Sequence, residues 1–272
     1  MHFPKFWKLA KKGGVSAWGW SDSSVADALT AGLARVDRIV AWLKSEQPTP
    51  LSTYGYPDRP MREEVLREFR NSQGELVAAV SRNSYGCEVL NTARLLFVDV
   101  DETPPGLGAF LKKLFGKSES FEASTSATIQ KWITAHPDWS VRAYRTRAGI
   151  RLLATHQPIS PEDGISSEAF AAFHADRLYR KLCLNQKCFR ARLTPKPWRC
   201  GLDKPSFRWP WRDQDAEADF KVWSVKYQQA AAGFSVCRLL GQFGRGEIHP
   251  EFQELVSFHD AAVRLGTDLP LA

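Results

Sequence analysis

Arg94-Leu-Leu-Phe-Val-Asp-Val-Asp101-Glu-Thr-Pro-Pro105 is the stretch from which the fold of this 272-residue chain can be read. Leu95, Leu96, Phe97, Val98 and Val100 form an apolar, partly β-branched run that predicts a buried strand. Asp99 and Asp101 sit at its end, and Thr103-Pro104-Pro105-Gly106 stops it. Side chains alternate along a strand, so the two aspartates share a face. Two neighbouring carboxylates repel unless a proton or a cation lies between them. A pair of this kind suits magnesium or manganese, which take hard oxygen ligands. The competing reading is a strand that simply ends in solvated acids.

Downstream, Trp139 to Arg147 and Ile150 to His156 alternate in polarity around Arg147-Ala-Gly149, which predicts a hairpin. Its turn end carries Tyr144, Arg145, Thr146, Arg147 and Arg151, donors suited to a phosphate. The segment Arg180 to Arg212 then holds ten bases (Arg180, Lys181, Lys187, Arg190, Arg192, Lys196, Arg199, Lys204, Arg208, Arg212) against one acid, Asp203. Its charge of +9 exceeds the +7 of the whole chain, so the remainder is slightly acidic. Phe189, Trp198, Phe207, Trp209 and Trp211 alternate with those bases, a mixture suited to backbone phosphates and stacked bases. Pro195, Pro197, Pro205 and Pro210 predict an extended path there rather than a helix. The bland alternative pairs the arginines with distant acids and puts the tryptophans in the core.

Elsewhere the aromatics Phe3, Phe6, Trp7, Trp18 and Trp20 predict an N-terminal arm docked on the core. Ser24 and Asp27 form a capping box ahead of Val25, Leu29, Leu33, Val36, Val40 and Leu43, which predict an amphipathic core helix to about Lys44. Gln47 to Pro60 reads as a loop, Met61 to Phe69 as a short helix and Glu75 to Arg82 as a strand. Cys87 to Asp101 reads as one or two strands breaking near Asn91-Thr-Ala. A Gly/Lys-containing stretch covers Gly106 to Lys117, a helix follows from Ser124, and another runs from Ser167 to Leu182. Asp213 to Asp219 reads as a solvated turn, and Phe220 to Leu240 and Pro250 to Leu265 as helices around the loop Gly241 to Gly246. His259-Asp260 is expected to be a surface pair.

Composition sets the outer limits. Apolar residues make up 43% and charged ones 25%, ordinary for a globular protein. No apolar run approaches the roughly 20 residues of a membrane-spanning helix, and Met1 to Lys8 lacks a signal-peptide core, so a cytoplasmic protein with no membrane partner is expected. The five cysteines, Cys87, Cys183, Cys188, Cys200 and Cys237, lack close zinc-site spacing and read as buried thiols.

The order of the Asp99/Asp101 strand, the Gly-turn hairpin and the basic segment resembles the primase-polymerase superfamily of archaeo-eukaryotic type, over roughly residues 75 to 212. Arg145-Thr-Arg-Ala-Gly-Ile-Arg151 resembles that family's Gly turn, with Arg151 where the family has histidine; Asp203 is the candidate third acid. The resemblance implies an α+β fold whose central, mostly antiparallel sheet forms an RRM-like palm flanked by helices. It implies a metal, magnesium or manganese, on Asp99 and Asp101. It also implies a nucleotide or nucleic-acid partner held by Arg145, Thr146, Arg147, Arg151, Arg190, Arg192, Lys196, Trp198 and Arg199, with nucleotidyl or phosphoryl transfer as the reaction. A single α+β domain over residues 1 to 272 is expected, comprising a helical part (1–70), a sheet core with the basic segment (75–212) and a C-terminal helical part (213–272). Two alternatives compete. One is a non-catalytic nucleic-acid-binding protein of the same fold. The other rests on Asp99-Val-Asp-Glu-Thr103, which resembles the first motif of haloacid-dehalogenase-type phosphatases and implies Asp99 as nucleophile and Asp101 as general acid. That motif's later acidic pair would fall on Asp213 and Asp215, which follow Pro210-Trp-Arg rather than an apolar strand.

Overall fold

The computed structural model describes residues 1–44, 60–102 and 120–272. The Gln47–Pro60 loop, apart from Pro60, and the Gly106–Lys117 stretch lie outside the described residues. Six α-helices and ten strands in three antiparallel sheets, counted among the described residues, make an α+β fold. No described helix is long and apolar enough to cross a membrane.

The stretch Phe97–Asp101 forms β6, with Leu95, Leu96, Phe97 and Val98 buried. The expected hairpin forms as β7 (Ser140–Thr146) and β8 (Gly149–Ala154). With β10 (Cys237–Gly244) they build a four-stranded sheet in the order β10-β7-β8-β6. Helix α2 (Phe121–Ala135), capped by Ser120, connects β6 to β7 and contributes Ile129, Trp132 and Ile133 to the core. The expected antiparallel sheet flanked by helices is therefore present, with β7 and β8 as its inner strands. Gly149 stands opposite Asp101 in the register, and a Cβ there would lie 2.1 Å from the Val100 carbonyl oxygen. No side chain fits that approach, so glycine at the turn sets the closeness of β6 and β8.

A second sheet, β3-β4-β5-β9, combines β3 (Glu64–Arg70), β4 (Leu76–Arg82), β5 (Glu88–Thr92) and β9 (Phe189–Arg192). Met61 to Phe69 is thus largely strand, because its alternation pairs Phe69 with Ala78 in the sheet and buries it. The expected helix over Ser167–Leu182 is two: α3 (Gly164–Ala172) and α4 (Arg177–Gln186). They are separated at His174, whose φ is 55°, and Asp176 restarts the helix by accepting from the Tyr179 amide at 2.7 Å.

Residues 1 to 44 depart from a merely helical part. Strands β1 (Phe6–Lys12) and β2 (Val15–Ser21) form a hairpin on which α1 (Val25–Leu43) lies. The Ser24–Asp27 capping box is present, with Asp27 N to Ser24 Oγ at 3.0 Å. The buried face of α1 is Ala28, Gly32 and Val36, while Val25, Leu29, Leu33 and Leu43 are exposed. Small residues win here because Gly19 packs against the helix backbone; a Cβ on it would lie 1.9 Å from Ala28 O.

At the C-terminal end, Asp213 caps α5 (Gln214–Ala231), so the acids Asp215, Glu217 and Asp219 occupy a helix rather than a turn. Acids in a first helical turn complement the helix dipole. Cys237 to Leu240 belongs to β10, where alternate residues face the core, and α6 (Gln253–Ala262) follows. Cys87, Cys183, Cys188 and Cys237 are buried free thiols, as expected from their spacing.

Candidate functional site

Alternation on β6 places Phe97, Asp99 and Asp101 on one face of the β10-β7-β8-β6 sheet. The register puts Arg151 opposite Asp99 and Tyr144 opposite Arg151, so these side chains share that face. Arg151 is fully buried. Its Nε donates to Asp99 Oδ1 at 3.0 Å and its Nη1 to the Arg192 carbonyl at 2.9 Å. A buried guanidinium needs both a counter-charge and filled donors, and this position supplies them.

Behind Arg151 the network continues into α6. Arg151 Nη1 lies 3.4 Å from His259 Nε2, and His259 Nδ1 lies 3.0 Å from Asp260 Oδ1. Asp260 also accepts from Tyr144 Oη at 2.9 Å and from Arg142 Nη2 at 2.6 Å. A guanidinium can only donate, so His259 Nε2 is the acceptor and Nδ1 carries the proton. Burial keeps the ring neutral by lowering its pKa. The expected surface pair His259-Asp260 is therefore an interior one: His259 is wholly buried between Phe97 and Tyr144, because α6 packs on the sheet face that bears Arg151.

In front of Arg151 the site opens. Asp99 is half-buried and Asp101 exposed. Burial, then Asp176, then Asp99 raise the Asp101 pKa above the ordinary carboxylate range. Asp176 thus brings a third carboxylate to the strand end, and its backbone N–H bonds Asp99 O at 3.3 Å. Asp203, the acid expected in that role, is exposed and is not among the charges that act on Asp101; its backbone carbonyl accepts the Trp223 indole N–H at 2.9 Å. A single helix over Ser167–Leu182 hides Asp176; the signal that marks it is an aspartate at the N-cap position of the amphipathic run Arg177–Gln186.

The basic segment converges on the same place. Burial, then Arg151, lowers the Arg192 pKa; burial, then Arg192, lowers that of Lys196; burial, then Arg192 and Arg147, lowers that of Arg199. Like charges crowded together disfavour one another's protonated forms. None of Arg147, Arg192, Lys196 and Arg199 forms an ion pair among the described residues, and Arg192 Nε is buried without a partner. Pro197–Arg199 is a 3-10 turn that holds Lys196 and Arg199 at its ends. Trp198 projects from it, 48% exposed, edge-on to the 43% exposed Tyr85 at 5.2 Å, with Lys196 Nζ 5.5 Å from its ring centre.

Two of the expected residues, Arg145 and Arg190, stand differently. Arg145 alternates onto the opposite sheet face, where it pairs with Glu102 at 2.6 Å and Glu122 at 3.3 Å. Arg190 is committed to Glu63, both carboxylate oxygens lying 2.7 Å from its Nη2. Thr146 shares the Asp99 face by alternation and stands opposite Gly149. The structure thus brings together Asp99, Asp101, Arg147, Arg151, Arg192, Lys196, Trp198 and Arg199, and adds Asp176, Tyr85 and His259.

Among the described residues, no group of three or more His, Cys, Asp and Glu side chains could hold a metal. With Asp99 Oδ1 engaged by Arg151, the oxygens left for a cation are Asp99 Oδ2 and the Asp101 carboxylate. Comparison with protein-family models, curated proteins and solved structures gave no match.

Proposed function

We propose that the β6–β8 end of the palm sheet is a phosphate-handling cleft that takes a nucleotide or the end of a nucleic-acid strand. The observation that carries this reading is the cluster Arg147, Arg192, Lys196 and Arg199: four cations that form no ion pair among the described residues, beside the Asp99–Asp101 strand end. Such a cluster is costly in the free protein and is relieved by a polyanion. Trp198 and Tyr85 at its rim offer exposed aromatic faces beside Lys196, as base stacking requires.

The order strand, helix, hairpin, helices, strand (β6, α2, β7–β8, α3–α4, β9) supports the primase-polymerase resemblance as a proposal. Arg151, directly opposite Asp99, occupies the position where that family has histidine. In this reading, Asp101 and the free Asp99 oxygen would hold a magnesium or manganese ion. The ion would supply charge neutralisation for phosphoryl transfer. The chain's own contribution is Arg192, Lys196 and Arg199 against phosphate oxygens, with Arg151 holding Asp99 in place. Burial, then Asp176 and Asp99, raise the Asp101 pKa, and a cation between Asp99 and Asp101 would relieve that repulsion. The phosphatase reading finds less support, because a nucleophilic Asp99 would have to leave its ion pair with Arg151.

The test is titration of a nucleoside triphosphate and a single-stranded oligonucleotide, each with and without magnesium. Affinity should fall steeply with salt, drop at least tenfold in Lys196→Gln/Arg199→Gln, and lose its magnesium dependence in Asp101→Asn. Affinity indifferent to salt and to the double substitution sinks the cleft. Affinity that survives without any magnesium dependence leaves the non-catalytic binding protein as the reading.

A further inference from the structure

A second basic recess lies apart from the Asp99 cleft and shares no lining residue with it. It is a cavity of about 220 Å³ lined by Pro60, Met61, Arg62, Glu63, Ser84, Leu182, Asn185, Gln186 and Arg208. Two guanidiniums face it. Arg62 is half-buried, its Cζ lies 4.6 Å from the Trp18 ring centre, and its Nε is buried without a hydrogen-bond partner. Arg208 approaches closely enough to help burial lower the Arg62 pKa to about 10. Neither arginine forms an ion pair among the described residues.

Among the described residues the recess contains one acid, and that acid is already engaged. Glu63 receives both its oxygens' contacts from Arg190 Nη2 at 2.7 Å and accepts from Ser81 Oγ as well. The neutral lining residues are donors. Gln186 Oε1 accepts from Arg190 at 2.9 Å, which leaves its NH2 group free, and the Ser84 hydroxyl and Asn185 amide have no partner among the described residues. Pro60, Met61 and Leu182 supply an apolar wall. Two unpaired guanidiniums, an orphaned buried N–H and three neutral donors match the acceptor-only oxygens of a phosphate, for which arginine is the preferred planar donor.

We propose that this recess, formed by the segment leading into β3, the turn at Ser84, the C-terminal part of α4 and Arg208, binds a phosphate group through Arg62 and Arg208. The apolar wall receives the body that carries the phosphate. Two sources share that chemistry, a free mononucleotide and a phosphate in the backbone of a single strand.

The experiment is calorimetric titration of the full chain carrying Lys196→Gln/Arg199→Gln, which weakens the first cleft and leaves the recess intact. The probes are inorganic phosphate, adenosine 5′-monophosphate, adenosine and a short oligothymidylate. Phosphate and the monophosphate should bind and adenosine should not. Adding Arg208→Gln, at an exposed position whose loss does not endanger folding, should weaken phosphate about tenfold, the equivalent of one charge-assisted hydrogen bond. Arg62→Gln should do the same, with an unchanged far-ultraviolet spectrum showing that the chain is folded. A mononucleotide that binds more tightly than the oligomer per phosphate assigns the free-ligand source, and the reverse assigns the strand. Absence of saturable phosphate binding, or binding unaffected by Arg208→Gln, overturns the proposal. Because the Lys196 and Arg199 substitutions are already present, failure here leaves the Asp99 cleft untouched, and failure of that cleft leaves this result standing.

Discussion

Replacing Arg151 by methionine tests whether the ion pair at the centre of the sheet is what holds Asp99 in place. Methionine keeps most of the aliphatic volume beside Phe97 and removes the charge and every donor. Three acceptors are stranded: Asp99 Oδ1 at 3.0 Å, the Arg192 carbonyl at 2.9 Å and, more weakly, His259 Nε2 at 3.4 Å. Breaking a buried pair from one side costs about 3–5 kcal/mol. Asp99 retains 35% side-chain exposure, so water can partly rehydrate it, and the cost falls near the lower end, at about 3 kcal/mol. An unfolding entropy of about 2.1 cal/mol/K per residue gives about 0.57 kcal/mol/K for this chain, hence a Tm lowered by about 5 °C. Differential scanning calorimetry reads the shift, and urea unfolding reads the free energy. Arg151→Lys should recover less than half, because an ammonium cannot span Asp99 and the Arg192 carbonyl together. In the double variant Asp99→Asn/Arg151→Met the losses should fall short of additive by at least about 1 kcal/mol, since neither charge is then left alone. A Tm loss under 1 °C for Arg151→Met, or strict additivity, would refute the reasoning.

Asp101→Asn should raise the Tm at pH 7 by the equivalent of under about 1 kcal/mol, the exposure of the group limiting the gain, while removing magnesium-dependent binding. The sign follows from its raised folded pKa: Asp101 favours the fold below its ordinary value of 3.8 and loses that contribution as pH rises through the folded value. The gain should therefore vanish near pH 3, and an equal gain at both pH values contradicts it. His156, against Trp139 with both ring nitrogens buried and unpartnered, has its pKa lowered from 6.5 to about 4. The fold holds it neutral, so its contribution is complete above pH 6.5 and is lost as pH falls towards 4; in a Tm-against-pH profile His156→Phe should flatten that limb, and an unchanged limb counts against it. Glu63→Gln should cost about 3 kcal/mol in urea unfolding by leaving the Arg190 guanidinium without its counter-charge, yet leave nucleotide affinity at the Asp99 cleft unchanged; a stable variant with weakened binding would reassign Arg190 to the ligand.

The sequence by itself determined the strand Phe97–Asp101, the β7–β8 hairpin, the α1 capping box and the α+β character. Apolar runs, alternation and caps are local, and these signals lie within a few residues of what they specify. It also showed where positive charge accumulates, because that is a count along the chain. Only the tertiary structure decided which of those charges are free. Arg190 and Arg192 stand two residues apart on β9, yet the first meets Glu63, 127 residues away, while Arg192 Nε has no hydrogen-bond partner among the described residues. Arg145 and Arg151 lie in one hairpin but on opposite sheet faces, a difference set by register. The helix over Ser167–Leu182 broke at His174 because a left-handed residue there turns the chain and lets Asp176 cap the next helix beside Asp99. Ion pairing and burial depend on residues far apart in sequence, so the strand end Asp99–Asp101 was visible from the start, and its company was not.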